Sequence, residues 1–303
     1  MKFFWKVLFI LACSAILGFL VFLNCSTNAI LVNPILHFNH SKSLFYEHST
    51  CLYKAIKDLS YDEVWDQLAS LSTMCQKCST FNFSSLVSLE NKDEIKYHIV
   101  AKDPSRKCVV LSIGVGHDIF SEKSLEKLQP NCQFIGVDPT IEGNQELYES
   151  IGTFYPFAIG VNESIVESYV INGNNSLYNY RNLTTTDFLQ FLKEKVQKPV
   201  IDQLLFDAEY PEYQIFRYFM EGSGLDSEEI AICQANIEVH KPSIDQKIVF
   251  DDFLRRLLRQ YRFALFNVVT VPEAGHIRIV LVNYYNDACV ERYFHSKNGL
   301  FGI

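Results

Sequence analysis

From residue 107 onward, short apolar runs alternate with helical stretches, and this alternation most constrains the fold. The first two runs are Val109 to Ile113 and Phe134 to Val137, with the helical stretch Ser121 to Gln129 between them. Such alternation is typical of a parallel sheet covered by helices. Further strands are predicted at Tyr155 to Ile159, Leu204 to Phe206 and Ile230 to Val239, and helices at Thr186 to Val196, Glu212 to Met220 and Asp252 to Gln260.

The last two predicted strands depart from this pattern. Phe263 to Val269 and Ile277 to Tyr284 are joined by only a few residues, which include Pro272 and Gly275. So short a connection permits an antiparallel hairpin but not a parallel crossover. We therefore predict an α/β fold in which a mostly parallel sheet, with helices on both faces, ends in an antiparallel hairpin.

The N-terminus carries an unbroken apolar run from Val7 to Leu23. A run of roughly 20 residues can cross a bilayer core of about 30 Å. Lys2 and Lys6 lie before the run and the next lysine is Lys42, so the short end is predicted to face the cytosol. We predict a single-pass type II membrane protein whose bulk faces the Golgi or ER lumen. The alternative is a cleaved signal peptide, after which the protein would be secreted.

The segment between this run and the sheet is predicted to hold a small helical adjunct. Ser60 and Glu63 have the spacing of a capping box and begin an amphipathic helix from Tyr61 to Leu71. The stretch before it is rich in Asn, Ser and His without periodicity, which is typical of a stem. The predicted segments are 1–23 (cytosolic tip and transmembrane signal-anchor), 24–50 (stem), 51–106 (adjunct with cysteines) and 107–303 (α/β domain).

The nine cysteines fit an oxidising compartment or a metal site. Cys108 and Cys132 each lie at the start of one of two neighbouring predicted strands, so they could form a disulfide. For Cys75 and Cys78, with Cys51 upstream, we favour disulfides over zinc, because zinc would need a second pair of ligands. The remaining luminal cysteines, left to pair with each other or to stay free, are Cys233 and Cys289.

Acceptor sequons and charge also bear on the class of protein. The sequons indicate a secreted or luminal glycoprotein. With 27 Lys and Arg against 35 Asp and Glu, the chain offers no basic face for a nucleic acid, so no such partner is predicted. The sequons are Asn24, Asn39, Asn82, Asn162, Asn174 and Asn182.

A glycine-bearing turn follows the first predicted strand. Gly114 and Gly116 let the backbone approach a ligand closely where a helix begins. Asp138 follows the second strand about 24 residues beyond the first glycine, where an acid can accept hydrogen bonds from ribose hydroxyls. Ile119 stands where a dinucleotide fingerprint has its third glycine, so a pyrophosphate seat is not predicted. The pattern favours a nucleoside cofactor without phosphates, S-adenosylmethionine.

Several segments between Val109 and Asn283 occur in a recognisable order: LSIGVGHD, GVDP, FYPFAIGVNE, IDQLLFDAEYPEYQIF and ANIEVH. In these motifs the chain resembles the FkbM-type methyltransferases, as a divergent, membrane-anchored member. The fourth segment resembles their Asp-x-Glu-Gly-x-Glu motif and the fifth their Glu-x-His strand. The resemblance implies a Rossmann-like fold that binds S-adenosylmethionine and methylates hydroxyl oxygens of glycans or small molecules.

The resemblance also assigns the site. Glu209 and His240 are the predicted catalytic residues, which take the proton of the acceptor hydroxyl; no metal is predicted. Purely structural roles are the alternatives: Asp207 could cap the following helix, and His240 could be a structural histidine. Glu212 is interpreted as a surface residue that interacts with a helix dipole. The predicted cofactor-binding residues are Gly114, Gly116, Asp118, Asp138 and Asp207.

Two other classes of protein remain open. A catalytically inactive binding module of the same fold is indicated by Ser112, Asp118 and Tyr210, which depart from the family's pattern. A luminal type II glycosyltransferase would hold a metal through Asp207 and Glu209, but this hypothesis leaves the glycine turn unexplained. Binding of S-adenosylmethionine without metal separates the methyltransferase from the glycosyltransferase.

Overall fold

Strands and helices alternate along the chain from Cys108 onward, as the sequence predicts. The computed structural model describes residues 40–78, 86–171, 178–209 and 211–294. The strands are β1 (Val87–Glu90), β2 (Ile95–His98), β3 (Cys108–Ile113), β4 (Cys132–Val137), β5 (Thr153–Tyr155), β6 (Ala158–Gly160), β7 (Ser164–Ile171), β8 (Tyr178–Asp187), β9 (Val200–Ile201), β10 (Gln203–Phe206), β11 (Ala231–Ile232), β12 (Gln234–Val239), β13 (Phe263–Val271) and β14 (His276–Asn283). The helices are α1 (His40–Ile56), α2 (Tyr61–Cys78), α3 (Phe120–Leu128), α4 (Gln145–Glu149), α5 (Phe188–Phe191, continued by a π-helical turn, Leu192–Val196), α6 (Glu212–Ile215, continued by a 3₁₀ turn, Phe216–Phe219), α7 (Gly224–Ser227), α8 (Ile244–Gln260) and α9 (Asp287–Tyr293).

Seven strands form the central sheet, in the order β13-β14-β12-β10-β3-β4-β5. The five strands from β12 to β5 are parallel. In contrast, β14 runs antiparallel to β12, and β13 runs antiparallel to β14. The predicted mostly parallel sheet with a terminal antiparallel hairpin is therefore confirmed. Every residue of β3 and β10 is buried, as expected for parallel strands covered on both faces.

Helices cover both faces of this sheet. On one face, Leu111 of β3 joins Leu68 of α2 and Leu257 of α8 in one apolar cluster. On the other face, Val110 joins Leu125 of α3 in a separate cluster. Because successive side chains of a strand point to opposite faces, neighbours on β3 enter two different cores.

The first two helices lie against the sheet. The predicted capping box is present, since Glu63 Oε2 accepts from the N–H of Ser60 at 2.9 Å and Ser60 Oγ accepts from the N–H of Glu63 at 3.3 Å. Helix α1 begins inside the segment predicted as a stem, because Phe45 and Leu52 bury their side chains. The described residues from His40 to Phe294 belong to one compact unit, and Leu52 and Leu68 of the adjunct lie in the same apolar cluster as Leu111 and Leu204 of the α/β domain.

Some strands differ from the prediction. The single strand predicted from Tyr155 to Ile159 is two strands, β5 in the central sheet and β6 outside it, because Pro156 has no N–H for a ladder. Strand β6 joins β8 and β7 in a second sheet, and β1 and β2 form a hairpin; neither was predicted. Much of β8 is exposed, so the apolar pattern that marks a strand is weak there.

Three disulfides join six of the cysteines of this unit. Cys108 and Cys132 are register partners on β3 and β4, with their Cα atoms 4.3 Å apart, which confirms the predicted bridge. Of the cysteines whose partners the sequence left open, Cys51 pairs with Cys75 and Cys233 pairs with Cys289, whereas the side chain of Cys78 lies outside what the structure describes.

Removing the Cys108–Cys132 disulfide by a double substitution to alanine should lower the free energy of unfolding by about 3.5 kcal/mol, because the bridge closes a loop in the unfolded chain. Its sequence separation is 24, the same as for Cys51–Cys75, so the matched double substitution there should cost a similar amount. Urea unfolding of the two variants and the wild type measures the effect. Unfolding midpoints equal to that of the wild type would contradict this prediction.

None of the helices within the described ranges is both long and apolar enough to cross a membrane. The predicted transmembrane segment, Val7 to Leu23, lies outside the described residues and stays a prediction. Of the sequons, Asn162 and Asn182 are exposed. The sequons outside the described residues are Asn24, Asn39, Asn82 and Asn174.

Candidate active site

The predicted glycine turn, between β3 and α3, touches the end of β10. Gly114 has a φ of +84°, and a Cβ there would lie 1.7 Å from the carbonyl oxygen of Asp207. The N–H of Gly114 donates to the carbonyl of Val137 at 2.9 Å, and the N–H of Asp207 donates to that of Ile113 at 2.8 Å. Glycine at this position therefore lets the ends of β3, β4 and β10 meet.

The second glycine of the turn faces open space. Gly116 has a φ of +60°, and apart from its two chain neighbours no heavy atom of the described residues lies within 4 Å of where its Cβ would stand. The next residue, His117, also has a positive φ, and its N–H donates to Oδ1 of the buried Asn144 at 2.8 Å. The hydrogen bond from His117 to Asn144 therefore fixes the conformation of the turn, and the backbone of Gly116 is accessible to a ligand.

Asp138 lies under this turn at the end of β4. Its Oδ2 accepts from the N–H groups of Val115 at 2.8 Å and Gly116 at 3.3 Å, and its Oδ1 accepts from the N–H of Thr140 at 2.8 Å. Burial raises the pKa of Asp138, and these amide hydrogen bonds oppose the shift only in part. The predicted ribose-binding acid therefore also fixes the conformation of the glycine turn.

Asp118 connects two structural elements. Its Oδ2 accepts from the N–H of Lys92 at 2.8 Å, which ties the β1–β2 turn to the site. Its Oδ1 accepts from the N–H of Phe120 at 3.0 Å, at the first residue of α3. These contacts give Asp118 a structural role, and its predicted contact with a cofactor stays a prediction.

Ser112, one of the departures from the family's pattern, contacts an acid from another element. Its Oγ donates to Oε1 of Glu122 at 2.8 Å and accepts from the hydroxyl of Tyr148 at 3.1 Å. Glu122 is buried in α3. A carboxyl group therefore stands beside the end of β3 although position 112 is not acidic. Sequence reasoning missed Glu122 because no motif marks it.

His240, which directly follows β12, lies among three carboxyl groups. Its Nδ1 is 3.2 Å from Oε1 of Glu212, which also accepts from the backbone N–H of His240 at 2.9 Å. On the opposite side of the ring, Nε2 is 3.4 Å from Oε2 of Glu209 and 3.7 Å from Oδ1 of Asp207. The structure thus brings together the two predicted catalytic residues and places Asp207 beside them.

The interpretation of Glu212 as a surface residue is wrong. Its side chain is fully buried, because α6 begins directly below the end of β12 and turns this carboxyl group toward His240. Glu212 matches the last Glu of the Asp-x-Glu-Gly-x-Glu motif, and that match was the signal that could have found it. Tyr210, which departs from the same motif, lies outside the described residues.

Charges in this cluster shift the pKa of both Asp207 and His240. Burial and the charge of Glu238 raise the pKa of Asp207 to about 7, although its side chain is still 37% exposed and water screens part of this effect. Burial alone would lower the pKa of His240. Its interactions with Glu209 and Glu212 outweigh burial and raise the pKa of His240 to about 11.

The β1–β2 hairpin and β14 add charged side chains to the same edge of the sheet. Lys96 forms a buried ion pair with Glu94, and Nε of Arg278 lies 3.5 Å from Oε2 of Glu94. Arg278 also pairs with Glu238, whose Oε1 is 2.9 Å from Nδ1 of His276. A cleft at this edge is lined by the carboxylates of Glu94 and Glu238 and by the cationic side chains of Lys96 and Arg278. Sequence reasoning missed Glu94 and Lys96 because the hairpin carries no motif, and Arg278 and His276 because none marks β14. It also gave Glu238 no role in the site, although Glu238 is the Glu of the Glu-x-His strand.

Side-chain amides of β12 hold this hairpin in place. Asn236 accepts from the N–H of Tyr97 at 2.7 Å and donates to its carbonyl at 2.7 Å. Gln234 likewise accepts from the N–H of Ile99 at 2.7 Å and donates to the carbonyl of Ile99 at 2.9 Å. Each amide acts as the peptide group of a neighbouring strand would. The charged residues of the hairpin are therefore positioned by the same strand that leads to His240.

The arrangement fits a positively charged nucleoside cofactor. Gly116 leaves space beside the backbone, and Asp138 offers carboxylate oxygens next to it. Asp207, with a pKa of about 7, adds a carboxyl group that is partly ionised at neutral pH and whose charged form a nearby cation would stabilise. A glycine turn, an acid after the second strand and a terminal antiparallel hairpin together define the methyltransferase class of α/β fold. Residues 69–265 match the model of the methyltransferase FkbM domain, which is more than half of the chain, so the chain belongs to this family, as its motifs predict.

Solved methyltransferase structures show only a distant likeness. A precorrin-6y methyltransferase from Geobacter metallireducens is 12% identical, with a TM-score of 0.32; the likeness covers 59% of this chain and 80% of that one. A putative O-methyltransferase from Nostoc punctiforme is also 12% identical, with a TM-score of 0.30, and covers 58% of this chain and 51% of that one. No curated protein sequence matches the chain. Membership in the family leaves the glycosyltransferase hypothesis without support.

Proposed function

We propose that the protein is an S-adenosylmethionine-dependent O-methyltransferase whose acceptor is a hydroxyl group of a glycan or small molecule. One observation carries the proposal: the glycine turn contacts Asp207, which lies beside His240 and Glu209. The carbonyl of Asp207 lies where Gly114 would carry its Cβ, and the Asp207 side chain lies 3.7 Å from His240. A methyl donor held at the turn would therefore lie next to the groups that bind the acceptor.

The cofactor, when bound, supplies a methyl group on a positively charged sulfur. The protein's own residues would position it: Gly116 by its accessible backbone, and Asp138 through carboxylate oxygens that accept from ribose hydroxyls. In-line positioning supplies much of the rate of such a displacement. The hydrogen bonds from Val115 and Gly116 to Asp138 support this role, because they hold the carboxylate next to the accessible backbone of Gly116.

The acceptor hydroxyl must lose its proton as its oxygen forms the new bond to carbon. Glu209 is the group placed to take this proton, since its Oε2 lies 3.4 Å from Nε2 of His240 at the edge of the sheet. His240, whose pKa is raised to about 11, already carries a proton at neutral pH and would orient Glu209 and the acceptor oxygen. Glu212 is a positioning residue, because it accepts hydrogen bonds from both the backbone N–H and the ring of His240. An uncharged hydroxyl suits a cluster that is already rich in carboxyl groups.

Replacing Asp138 with asparagine should weaken binding of S-adenosylhomocysteine by about 10- to 150-fold, because a hydrogen bond to a charged group contributes about 1.5–3 kcal/mol. Isothermal titration calorimetry of the two proteins measures this. Asp103→Asn is the matched control, because Asp103 also accepts from a backbone N–H, that of Ser105 at 3.0 Å, but is exposed before the start of β3, away from the site. Absence of binding in the wild type would defeat the proposed enzyme.

A catalytically inactive binding module of the same family is the second candidate. The observation that favours it is that Asp138 already accepts three backbone N–H groups, so fewer acceptor sites remain for a ribose. The same calorimetry decides between the two functions. Tight binding of S-adenosylhomocysteine that depends on Asp138 favours the enzyme.

We also propose that the protein works in the lumen of the secretory pathway, in the Golgi or ER, held to the membrane by its N-terminal apolar segment, or is secreted after cleavage of that segment. Three disulfides support an oxidising compartment. The exposed sequons at Asn162 and Asn182 support access to glycosylation. A glycosidase that increases the electrophoretic mobility of the cell-expressed protein would support this location, and unchanged mobility would count against it.

A further inference from the structure

Two imidazoles and a carboxyl group converge beside the proposed acceptor site. Glu238 and His240 are two residues apart and point to one face of the sheet. His276 begins β14, whose antiparallel register pairs Ile277 with Val239, so His276 comes opposite His240. One ligand atom from each of Glu238, His240 and His276 lies within 4.8 Å of the other two.

A second, independent feature is the way His240 is held. Oε1 of Glu212 lies 3.2 Å from Nδ1 of His240, which leaves Nε2 directed toward Asp207 and Glu209. A carboxylate behind one ring nitrogen is the usual partner of a histidine that binds a metal through the other. The second oxygen of Glu212 is buried and has no hydrogen-bond partner among the described residues.

Two carboxyl groups stand beside the ring atom of His240 that would bind the ion. Nε2 of His240 lies 3.4 Å from Oε2 of Glu209 and 3.7 Å from Oδ1 of Asp207. Within the ligand set, Nδ1 of His276 is 2.9 Å from Oε1 of Glu238, so an ion held by these two residues would replace their hydrogen bond.

The charge balance of the cluster also favours a cation. Arg278 pairs with Oε2 of Glu238, which leaves Oε1 of that residue toward His276. Of the three ligands, Glu238 also lines the cleft that it shares with Glu94 and Arg278. Five carboxyl groups stand against three cations, which are Lys96, Arg278 and the protonated ring of His240. The carboxyl groups are those of Glu94, Asp207, Glu209, Glu212 and Glu238.

We propose that Glu238, His240 and His276 bind one divalent transition-metal ion of the zinc class. Two imidazoles and one carboxylate form a common ligand set of catalytic zinc, which keeps a further coordination position open. That position would face Asp207 and Glu209. Its use by an oxygen atom of the acceptor rests on the proposed function, whereas binding of the ion does not.

The test uses the full-length protein, stripped with a chelator and titrated with zinc sulfate in a calorimeter. One zinc ion per chain is expected, with at least 100-fold weaker binding in His276→Asn. His117→Asn is the matched control, since His117 lies in the glycine turn and its Nε2 contacts only the carbonyl of Glu142 among the hydrogen bonds of its ring. Cobalt(II) in place of zinc should give the visible absorption of a four- or five-coordinate site, and His276→Asn should abolish it.

Two outcomes would overturn the proposal: wild-type protein that binds no zinc, or zinc binding that is unchanged in both His276→Asn and Glu238→Gln. Circular dichroism shows whether each variant is folded, and either folded variant is sufficient for the comparison. Binding of S-adenosylhomocysteine in the presence of the chelator is measured separately. Failure of the metal site and failure of the proposed methyl transfer are therefore distinguishable.

Discussion

Replacing Gly114 with alanine is expected to abolish cofactor binding and to lower the free energy of unfolding by about 2–5 kcal/mol. A residue with a side chain in the left-handed region costs about 1–2 kcal/mol, and forcing an atom into a filled space costs about 1–3 kcal/mol. The added Cβ would lie 1.7 Å from the carbonyl oxygen of Asp207, which cannot move without displacing the end of β10. Urea unfolding and calorimetry with S-adenosylhomocysteine measure the two effects.

Gly116→Ala is the matched control, because Gly116 shares the positive φ but has open space where the Cβ would stand. It should lose only the conformational part, about 1–2 kcal/mol. Comparable losses of stability in the two variants would show that the contact with Asp207 is not what requires glycine at 114. Cofactor binding in Gly116→Ala reports separately on whether a ligand approaches that part of the turn.

Replacing Glu212 with alanine is expected to lower the free energy of unfolding by about 3–5 kcal/mol, because it removes one partner of a buried ion pair and leaves the other without compensation. Glu212 is fully buried and contacts His240 through both its ring and its backbone. Methyl transfer should fall by about 100-fold or more, since a catalytic group displaced by about 1 Å can lose that much. Urea unfolding and a methyl-transfer assay with radiolabelled donor measure these effects.

Glu212→Gln separates shape from charge at this position. The amide oxygen can still accept from the backbone N–H of His240, so the loss of stability should be smaller than in Glu212→Ala. Zinc affinity should also fall, by about 10- to 100-fold, if Glu212 orients a metal-binding imidazole. A Glu212→Ala variant as stable as the wild type would mean that His240 does not depend on this carboxyl group.

The central sheet was predictable because its strands are almost wholly apolar and lie between helices with clear periodicity. Cys108 and Cys132 could be paired from their places at the start of neighbouring strands, and the structure puts them in register. Strands β7 and β8 could not be found in the same way. They carry exposed side chains on a second sheet, where burial imposes little pattern on the sequence.

The part of the site that follows the strands of the sheet was predictable from spacing and motif: Gly114, Asp138 and Asp207 all stand at carboxyl ends of parallel strands. Glu94 and Lys96 were not. They come from a hairpin that precedes the first strand of the sheet, and their place beside Glu238 depends on side-chain amides that act across more than 130 positions of sequence. The spacing of residues within one segment does not indicate a contact between residues so far apart in the sequence.

The amide pairing between β12 and the β1–β2 hairpin also sets the smallest fragment worth producing. A shortened protein beginning at residue 107 would keep every recognised motif of the family, yet Gln234 and Asn236 would face solvent-filled space in place of the backbone of Tyr97 and Ile99. Because β12 is an interior strand, the truncation would uncover a face of the central sheet, including the apolar positions that Leu89 and Ile99 cover. Expression trials should therefore begin no later than His40, where the compact unit starts.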